Sequence, residues 1–587
     1  MVTRTVRKAK TGIPKNAFTL LAWGVWLIWT LLTVLFLGRW QIFQGKQYKA
    51  LADTIGTTVR FLDVPRGNIF TAQGEVVATD QRVWDVFISV IYPRDIQLLK
   101  DNLTKFLEYA KQLQVLDSKG IISILEYVQS HESIPYYVIL KDLDDYKAQH
   151  LEKFVKENNI AGIYFRKKYK RFYPNGEVFS NIIGFVSNYK GQQRGLYGVE
   201  GFFWWDIAGR LGEIQKQESV TGEVLLGTKY KLKNLKVGKN IVLTINSTVQ
   251  RKITKLLAQG VKEYNAKGGV VIVMEPSTGY ILGMASYPTY DSNRYWEIKD
   301  YSVFANKAVS YVYEFGSVQK PLTLAMALDA GKIKENFQCY DSGVLKVLDK
   351  KIYNWEYKRY GLLDITGILR YSDNVCAATV GLKLEPQTFV DYLYKLGFGA
   401  PTNIGIFEEQ TGVIKSPQKW NKVDLAVASF GQMITATPLQ VISAHSTIAN
   451  NGVRMQPLLV KQIYDDQESI EFKPTVAARV FKEDVAKFIK NAMIKATAQV
   501  GFNRYIPGYS IAGKTGSAQI PRKDGPGYKK DAVNATFVAF APAKDPKMIM
   551  LVLLIEPEKG KLASYTAVPL WIKIFKEIKD DLGVTPD

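Results

Sequence analysis

The sequence predicts an α+β protein tethered to a membrane by one N-terminal helix. Residues 17–38 are an uncharged apolar run, residues 39–240 mix short β-like runs with amphipathic helical stretches, and residues 241–587 place apolar strands at both ends of a helical middle. A chain of 587 residues, 47% hydrophobic and 22% charged, can build cored domains from each of the latter two segments.

The first element is AFTLLAWGVWLIWTLLTVLFLG, Ala17 to Gly38. As a helix it would be about 33 Å long, enough to cross the hydrocarbon of a bilayer. Arg4, Arg7, Lys8, Lys10 and Lys15 precede it, so the positive-inside rule puts residues 1–16 in the cytoplasm and everything from Arg39 onward outside. A cleavable signal peptide fits less well, because the run is too long and no small-x-small cleavage site follows.

Residues 39–240 hold strand-like Val83 to Val90 and Tyr136 to Leu140, and helical Ile96 to Leu113, Ile121 to Gln129 and Tyr146 to Asn158. Three glycine-punctuated strings stand among them: Pro65-Arg66-Gly67-Asn68-Ile69-Phe70, Arg171-Phe172-Tyr173-Pro174-Asn175-Gly176 and Gly198-Val199-Glu200-Gly201. They read as turns, with Arg and Glu available to pair across them.

From residue 241 the texture changes. Gly269 to Met274 and Tyr280 to Ala285, around Pro276-Ser277-Thr278-Gly279, read as a β-hairpin. Helical sequence surrounds Ser317 and continues to Ala330, two strands follow at Thr536 to Ala541 and Met548 to Ile555, and a helix closes the chain at Pro569 to Leu582. The expected result is one sheet whose strands come from distant parts of the chain.

Composition narrows the chemistry. An excess of 77 Lys+Arg over 55 Asp+Glu, net +22, suits an anionic partner (nucleic acid, lipid or an acidic envelope polymer) or simply a basic surface. His131, His150 and His445 are scattered, which argues against a histidine triad or a zinc site. Cys339 and Cys376 are too few for a disulfide framework and are expected to be unpaired buried thiols, a single bridge being the alternative.

Three strings carry chemistry in order: Ser317-x-x-Lys320, Ser372-Asp373-Asn374 and Lys514-Thr515-Gly516-Ser517. On a helix, Ser317 and Lys320 share a face, so an amine is available to activate a hydroxyl. Lys320 can take the Ser317 proton if the cation of Lys514 keeps it neutral. Ser372 can relay that proton to a leaving amine, and Asn374 can hold a peptide amide by donor and acceptor together. Lys514 and Thr515 suit a carboxylate, Gly516 leaves room for substrate backbone, and the backbone N–H groups of Ser317 and Ser517 suit an oxyanion. Gly508 to Thr515 also fits a phosphate-binding loop, but the loop-like stretch before it and the Pro- and Gly-rich stretch after it lack the required strand and helix.

The trio resembles the signature shared by penicillin-binding proteins and class A β-lactamases. With the basic tail, the anchor, the strings at Arg66, Arg171 and Glu200, and the segments Phe430-Gly431-Gln432 and Thr435 to Gln440, the whole chain resembles a class B penicillin-binding protein, a monofunctional peptidoglycan D,D-transpeptidase. Length and pedestal texture point to the division-specific form. The resemblance implies an anchor at 17–38, a pedestal (dimerisation-type) domain at 39–240, and a transpeptidase domain at 241–587 with a five-stranded, mainly antiparallel sheet between helical clusters. It implies an acyl-enzyme on Ser317, D-Ala-D-Ala stem peptides as donors, an amine acceptor, and inhibition by β-lactams. It further implies residence in the cytoplasmic membrane beside a SEDS-type glycosyltransferase and other division or elongation proteins, with no metal, no cofactor and no nucleic acid. Alternatives on the same fold are a membrane β-lactam sensor, an inactive scaffold and a β-lactamase. Phe315 departs from the proline usual before Gly-Ser, Ser517 from the commoner threonine, and Asp373 is the aspartate familiar from β-lactamases. Glu408 and Glu409 lie between the second and third motifs, but their surroundings do not resemble a deacylating loop.

Overall fold

The computed structural model describes residues 15–39, 57–62, 64–89, 96–130, 136–189, 192–209, 212–217, 231–233, 236–522 and 524–587. Arg4, Arg7, Lys8, Lys10, Val90 and His131 lie outside them. The membrane-length helix α1 spans Lys15–Gly38, and its apolar side chains from Leu21 onward are exposed along its length. The chain forms two compact units, residues 1–64 with 210–236, and residues 65–209 with 237–587. In the first, strands Thr57–Leu62, Gly212–Gln217 and Lys231–Lys233 make a small antiparallel sheet.

In the second unit the long strand Val76–Ile88 pairs antiparallel with Tyr137–Leu143 and Ile163–Phe172. Helices Ile96–Gln112, Ser118–Ser130 and Asp145–Glu157 pack on this sheet around Val86, Leu103, Phe106 and Leu151. The three glycine strings converge. Glu200, fully buried, accepts from Arg66 Nη2 at 2.9 Å and Arg171 Nε at 2.6 Å, and Arg171 Nη1 donates to Asp80 at 3.0 Å. Burial alone would raise the Glu200 pKa, but Arg171 and Arg66 hold it below the usual carboxylate range. The expected pairing is therefore present, although Gly198–Phe202 is a short helix where a turn was expected.

The five-stranded sheet consists of β1 Gly268–Met274, β2 Ile281–Tyr287, β3 Ala512–Pro521, β4 Tyr528–Ala541 and β5 Met548–Ile555, in the order β2-β1-β5-β4-β3, antiparallel throughout. Because side chains alternate along a strand, β1 serves two cores at once. Val271 and Val273 face helices α2 Ser247–Glu263 and α8 Ala567–Ile578, including Trp571. Val270, Ile272 and Met274 face the opposite core with α3 Lys320–Asp329 and α6 Pro438–Ala449. Helices α4 Ile365–Tyr371, α5 Asn374–Gly381 and α7 Glu483–Gln499 complete the parts that build the site. The phosphate-loop string does not form such a loop: from Ala512 it is strand β3.

One expectation is corrected. Cys339 and Cys376 form a disulfide, with Cα atoms 5.9 Å apart. Strand Gln338–Asp341 and the first turn of α5 meet in space, a proximity that a sequence separation of 37 conceals.

Candidate active site

Ser317 sits where a short strand becomes a helix. Tyr313–Glu314 pairs with Thr435–Ala436, Gly316 turns the chain at φ +62°, and Gly316–Gln319 makes one 3-10 turn that runs into α3. Residues three apart eclipse each other in such a turn, which puts Ser317 and Lys320 on one face. Gly431 lets the neighbouring chain come close: its own φ is +83°, a Cβ there would lie 2.1 Å from Gly316 O, and its carbonyl accepts the Gly316 N–H at 3.0 Å. Phe315, in place of the family proline, is buried and stacks on Phe398 at 5.2 Å. His445, buried in α6, has Nε2 2.8 Å from Val318 O.

The second motif is a helix junction. Ser372 ends α4 at a left-handed φ of 54°, and Asp373 caps α5 by accepting the Cys376 N–H at 2.6 Å. The turn directs Ser372 and Asn374 at Lys320, whose Nζ donates to Ser372 O, to Asn374 Oδ1 at 2.7 Å, and lies 3.2 Å from Ser372 Oγ. Lys514 reaches the same hydroxyl from β3 at 2.9 Å and also donates to Thr515 O at 3.0 Å. One serine oxygen thus bridges two lysines, each almost wholly shut from water.

Strand β3 is the sheet's edge. Gly513 donates its N–H to Thr497 Oγ1 of α7, away from β4, so the strand period turns the N–H and C=O groups of Thr515 and Ser517 the same way, off the open edge. Ser317, Ser372, Asn374, Thr515 and Ser517 line one cavity of about 610 Å³.

A profile of the penicillin-binding protein transpeptidase domain matches residues 269–578, and one of the penicillin-binding protein dimerisation domain matches residues 62–243. The chain belongs to the penicillin-binding protein transpeptidase family. This class B penicillin-binding protein is 28% identical to stage V sporulation protein D of Bacillus subtilis over 94% of its own length and 83% of that protein. It is 28% identical to the peptidoglycan D,D-transpeptidase FtsI of Escherichia coli over 74% of its own length and 71% of that protein. It shares the fold of penicillin binding protein 2X from Streptococcus thermophilus, with a TM-score of 0.75 at 23% identity, covering 90% of this chain and 81% of that one.

The electrostatics of the penicillin-binding protein's cleft follow from burial. Desolvation pushes Lys514 down to about 7. Desolvation and then the Lys514 charge push Lys320 well below the ordinary lysine range, with Asp373 opposing. Asp373 itself is pushed up to about 6, chiefly by burial and also by neighbouring Asp341. Asn354 ties this layer together. Its Nδ2 donates to Asp341 at 2.9 Å and Asp373 at 2.8 Å, and its Oδ1 accepts the Asn374 N–H at 2.7 Å. Neither Asn354 nor Asp341 was marked by the sequence, since no local string connects residues so far apart.

Two positions carry contacts that bear on their expected roles. Asn374 is expected to hold a substrate amide by both ends; its Oδ1 accepts from Lys320 Nζ at 2.7 Å and its Nδ2 donates to Tyr353 O at 2.9 Å, which leaves one lone pair and one N–H. Gly516 was to make room for substrate, but the nucleophile's turn occupies that room: a Cβ would lie 2.6 Å from Phe315 O. Glu408 accepts from the N–H groups of Gly198 and Asn306, and Glu409 from those of Thr402 and Asn403. Both carboxylates are held by backbone and neither lines the cavity.

Proposed function

We propose that this penicillin-binding protein cross-links peptidoglycan stem peptides through an acyl-enzyme on Ser317, with Lys320, Ser372, Asn374 and Lys514 as its catalytic set. The observation that carries this is the Ser372 hydroxyl bridging two buried lysines beside the Ser317 turn. Lys320, uncharged, takes the Ser317 proton as Oγ attacks the penultimate D-Ala carbonyl. The backbone N–H groups of Ser317 and Ser517 receive the oxyanion. As the C–N bond breaks, Ser372 passes a proton to the departing D-Ala nitrogen and is resupplied by its lysine neighbours. Lys514 and Thr515 hold the terminal carboxylate, and the edge of β3 pairs with the peptide as an added strand. A β-lactam follows the same path, but its cleaved nitrogen stays tethered to the acyl group.

Positive charge before α1 supports anchoring in the cytoplasmic membrane with the catalytic unit outside. The exposed Trp23, Trp26 and Trp29 of α1 suit either the lipid of the membrane interface or a contact face for a SEDS-type glycosyltransferase. The test of the reaction is covalent labelling by a fluorescent penicillin: wild type is expected to label and Ser317→Ala to lose the label. Persistent labelling of Ser317→Ala would overturn the choice of nucleophile.

A further inference from the structure

The cavity that holds Ser317 has one wall that the acylation chemistry leaves unused. It is made by residues 351–358 and Tyr360, with Tyr371 next to Ser372. Tyr353, Trp355, Tyr357, Tyr360 and Tyr371 all line it, and Trp355 and Tyr357 remain 54% and 72% exposed. Large aromatic side chains usually bury themselves, so a row of them lining a cleft marks a recognition surface.

This wall is held in place by the site itself. Asn374 donates to Tyr353 O at 2.9 Å, and Asn354 fixes the same segment to the second motif. Tyr353 and Tyr357 meet edge to face at 5.0 Å, and Tyr360 stacks on Tyr371 at 4.4 Å. Between them Glu356 and Tyr357 both adopt left-handed backbone, at φ 54° each, a conformation that side-chain-bearing residues rarely take twice in succession. Trp355 and Tyr357, both exposed, lie at this turn.

Reaction symmetry gives the wall an occupant. The leaving D-Ala amine departs beside Ser372, and by microscopic reversibility the amine that attacks the acyl-enzyme comes in at the same place. Ser372 and Asn374 line the same cavity as these rings. A free amine arrives mainly as an ammonium, and aromatic faces attract ammonium groups. Lys358 is neutralised by Glu356 at 2.8 Å, which leaves Lys351 as a positive charge at the wall's other end, suited to a carboxylate of the same stem peptide.

We propose that this aromatic wall is the acceptor subsite, and that it binds the acceptor stem peptide by its primary amine. The inference rests on the Ser317 acyl-enzyme. In the transfer the acceptor nitrogen, having lost its extra proton, attacks the ester carbonyl. A C–N bond forms, the C–Oγ bond to Ser317 breaks, and one proton passes from nitrogen to Ser317 Oγ.

The experiment uses the full-length protein in detergent with a small acyl-D-alanyl thioester as donor and a lysine side-chain amine as acceptor. The readout is the ratio of amide to hydrolysis product from the same acyl-enzyme, so a variant that still hydrolyses the donor reports on itself as a folded catalyst. Trp355→Ala combined with Tyr357→Ala is expected to lower the ratio by about tenfold, and Trp355→Phe combined with Tyr357→Phe to restore most of it. An unchanged ratio in the alanine pair, or no recovery in the phenylalanine pair, would overturn the acceptor assignment. A wild-type protein that forms no acyl-enzyme from the thioester would overturn the underlying reaction instead.

Discussion

Replacing Lys514 by methionine removes a charge while keeping length and apolar bulk, and it should move the pH at which Ser317 becomes reactive. Lys320 and Lys514 lie 3.2 and 2.9 Å from the same Ser372 oxygen, which caps the distance between their nitrogens at about 6 Å, the sum of the two. At an effective dielectric of about 20, two unit charges that close repel by about 2.8 kcal/mol, or roughly two pH units. The sign is fixed by like-charge repulsion: a proton on Lys514 opposes a second on Lys320, and the Lys514 charge is one of the causes that hold Lys320 well below the ordinary lysine range, after burial. Without Lys514, Lys320 protonates more easily, so the acidic limb of Ser317 acylation should shift upward by about two units. The assay is stopped-flow acylation by a fluorescent penicillin from pH 5 to 10 in wild type and Lys514→Met. The rate plateau will fall as well, because the carboxylate loses its cation, but the limb's position is independent of that amplitude. A limb that stays within half a unit of wild type would refute the coupling.

Two further outcomes follow from packing. Opening the Cys339–Cys376 bridge frees a loop of 37 residues, which on chain-entropy grounds costs about 4 kcal/mol of stability. Thermal unfolding should therefore begin lower in reductant, and a Cys339→Ser, Cys376→Ser variant should match the reduced wild type; equal midpoints with and without reductant would contradict this. Gly516→Ala places a methyl 2.6 Å from Phe315 O and must displace the turn carrying Ser317. Acylation should slow by about a hundredfold while the melting temperature moves little, and a native acylation rate in that variant would show that the contact is relieved elsewhere.

What the sequence disclosed was whatever is written locally. The three motifs are strings of three or four residues, the anchor is one apolar run, and the β1–β2 hairpin and the strands β4 and β5 are long apolar segments bounded by turns. The strands of residues 338–364 escaped because each is four residues long and only partly buried, too short for a period to register. The disulfide and the Asn354 bridge escaped for a related reason. They join segments that only the fold brings together, and nothing in either segment names its partner. Gly516 and Asn374 are named by their own strings, but contacts that constrain them come from Phe315 for one and Tyr353 for the other, which those strings do not contain.

The open edge of β3 has a consequence for which peptides this protein can tell apart. On the proposed pairing, the outward N–H of Thr515 and C=O of Ser517 would grip any extended backbone alike, so the middle of a bound donor would contribute affinity without discrimination. On the roles proposed above, selectivity would reside at two groups of side chains: Lys514 and Thr515, proposed to bind the terminal carboxylate, and the rings around Trp355, proposed to meet the incoming amine. A drift in stem-peptide composition would be absorbed along the strand and felt only at those two poles, and adaptation to a new wall chemistry would be written there first.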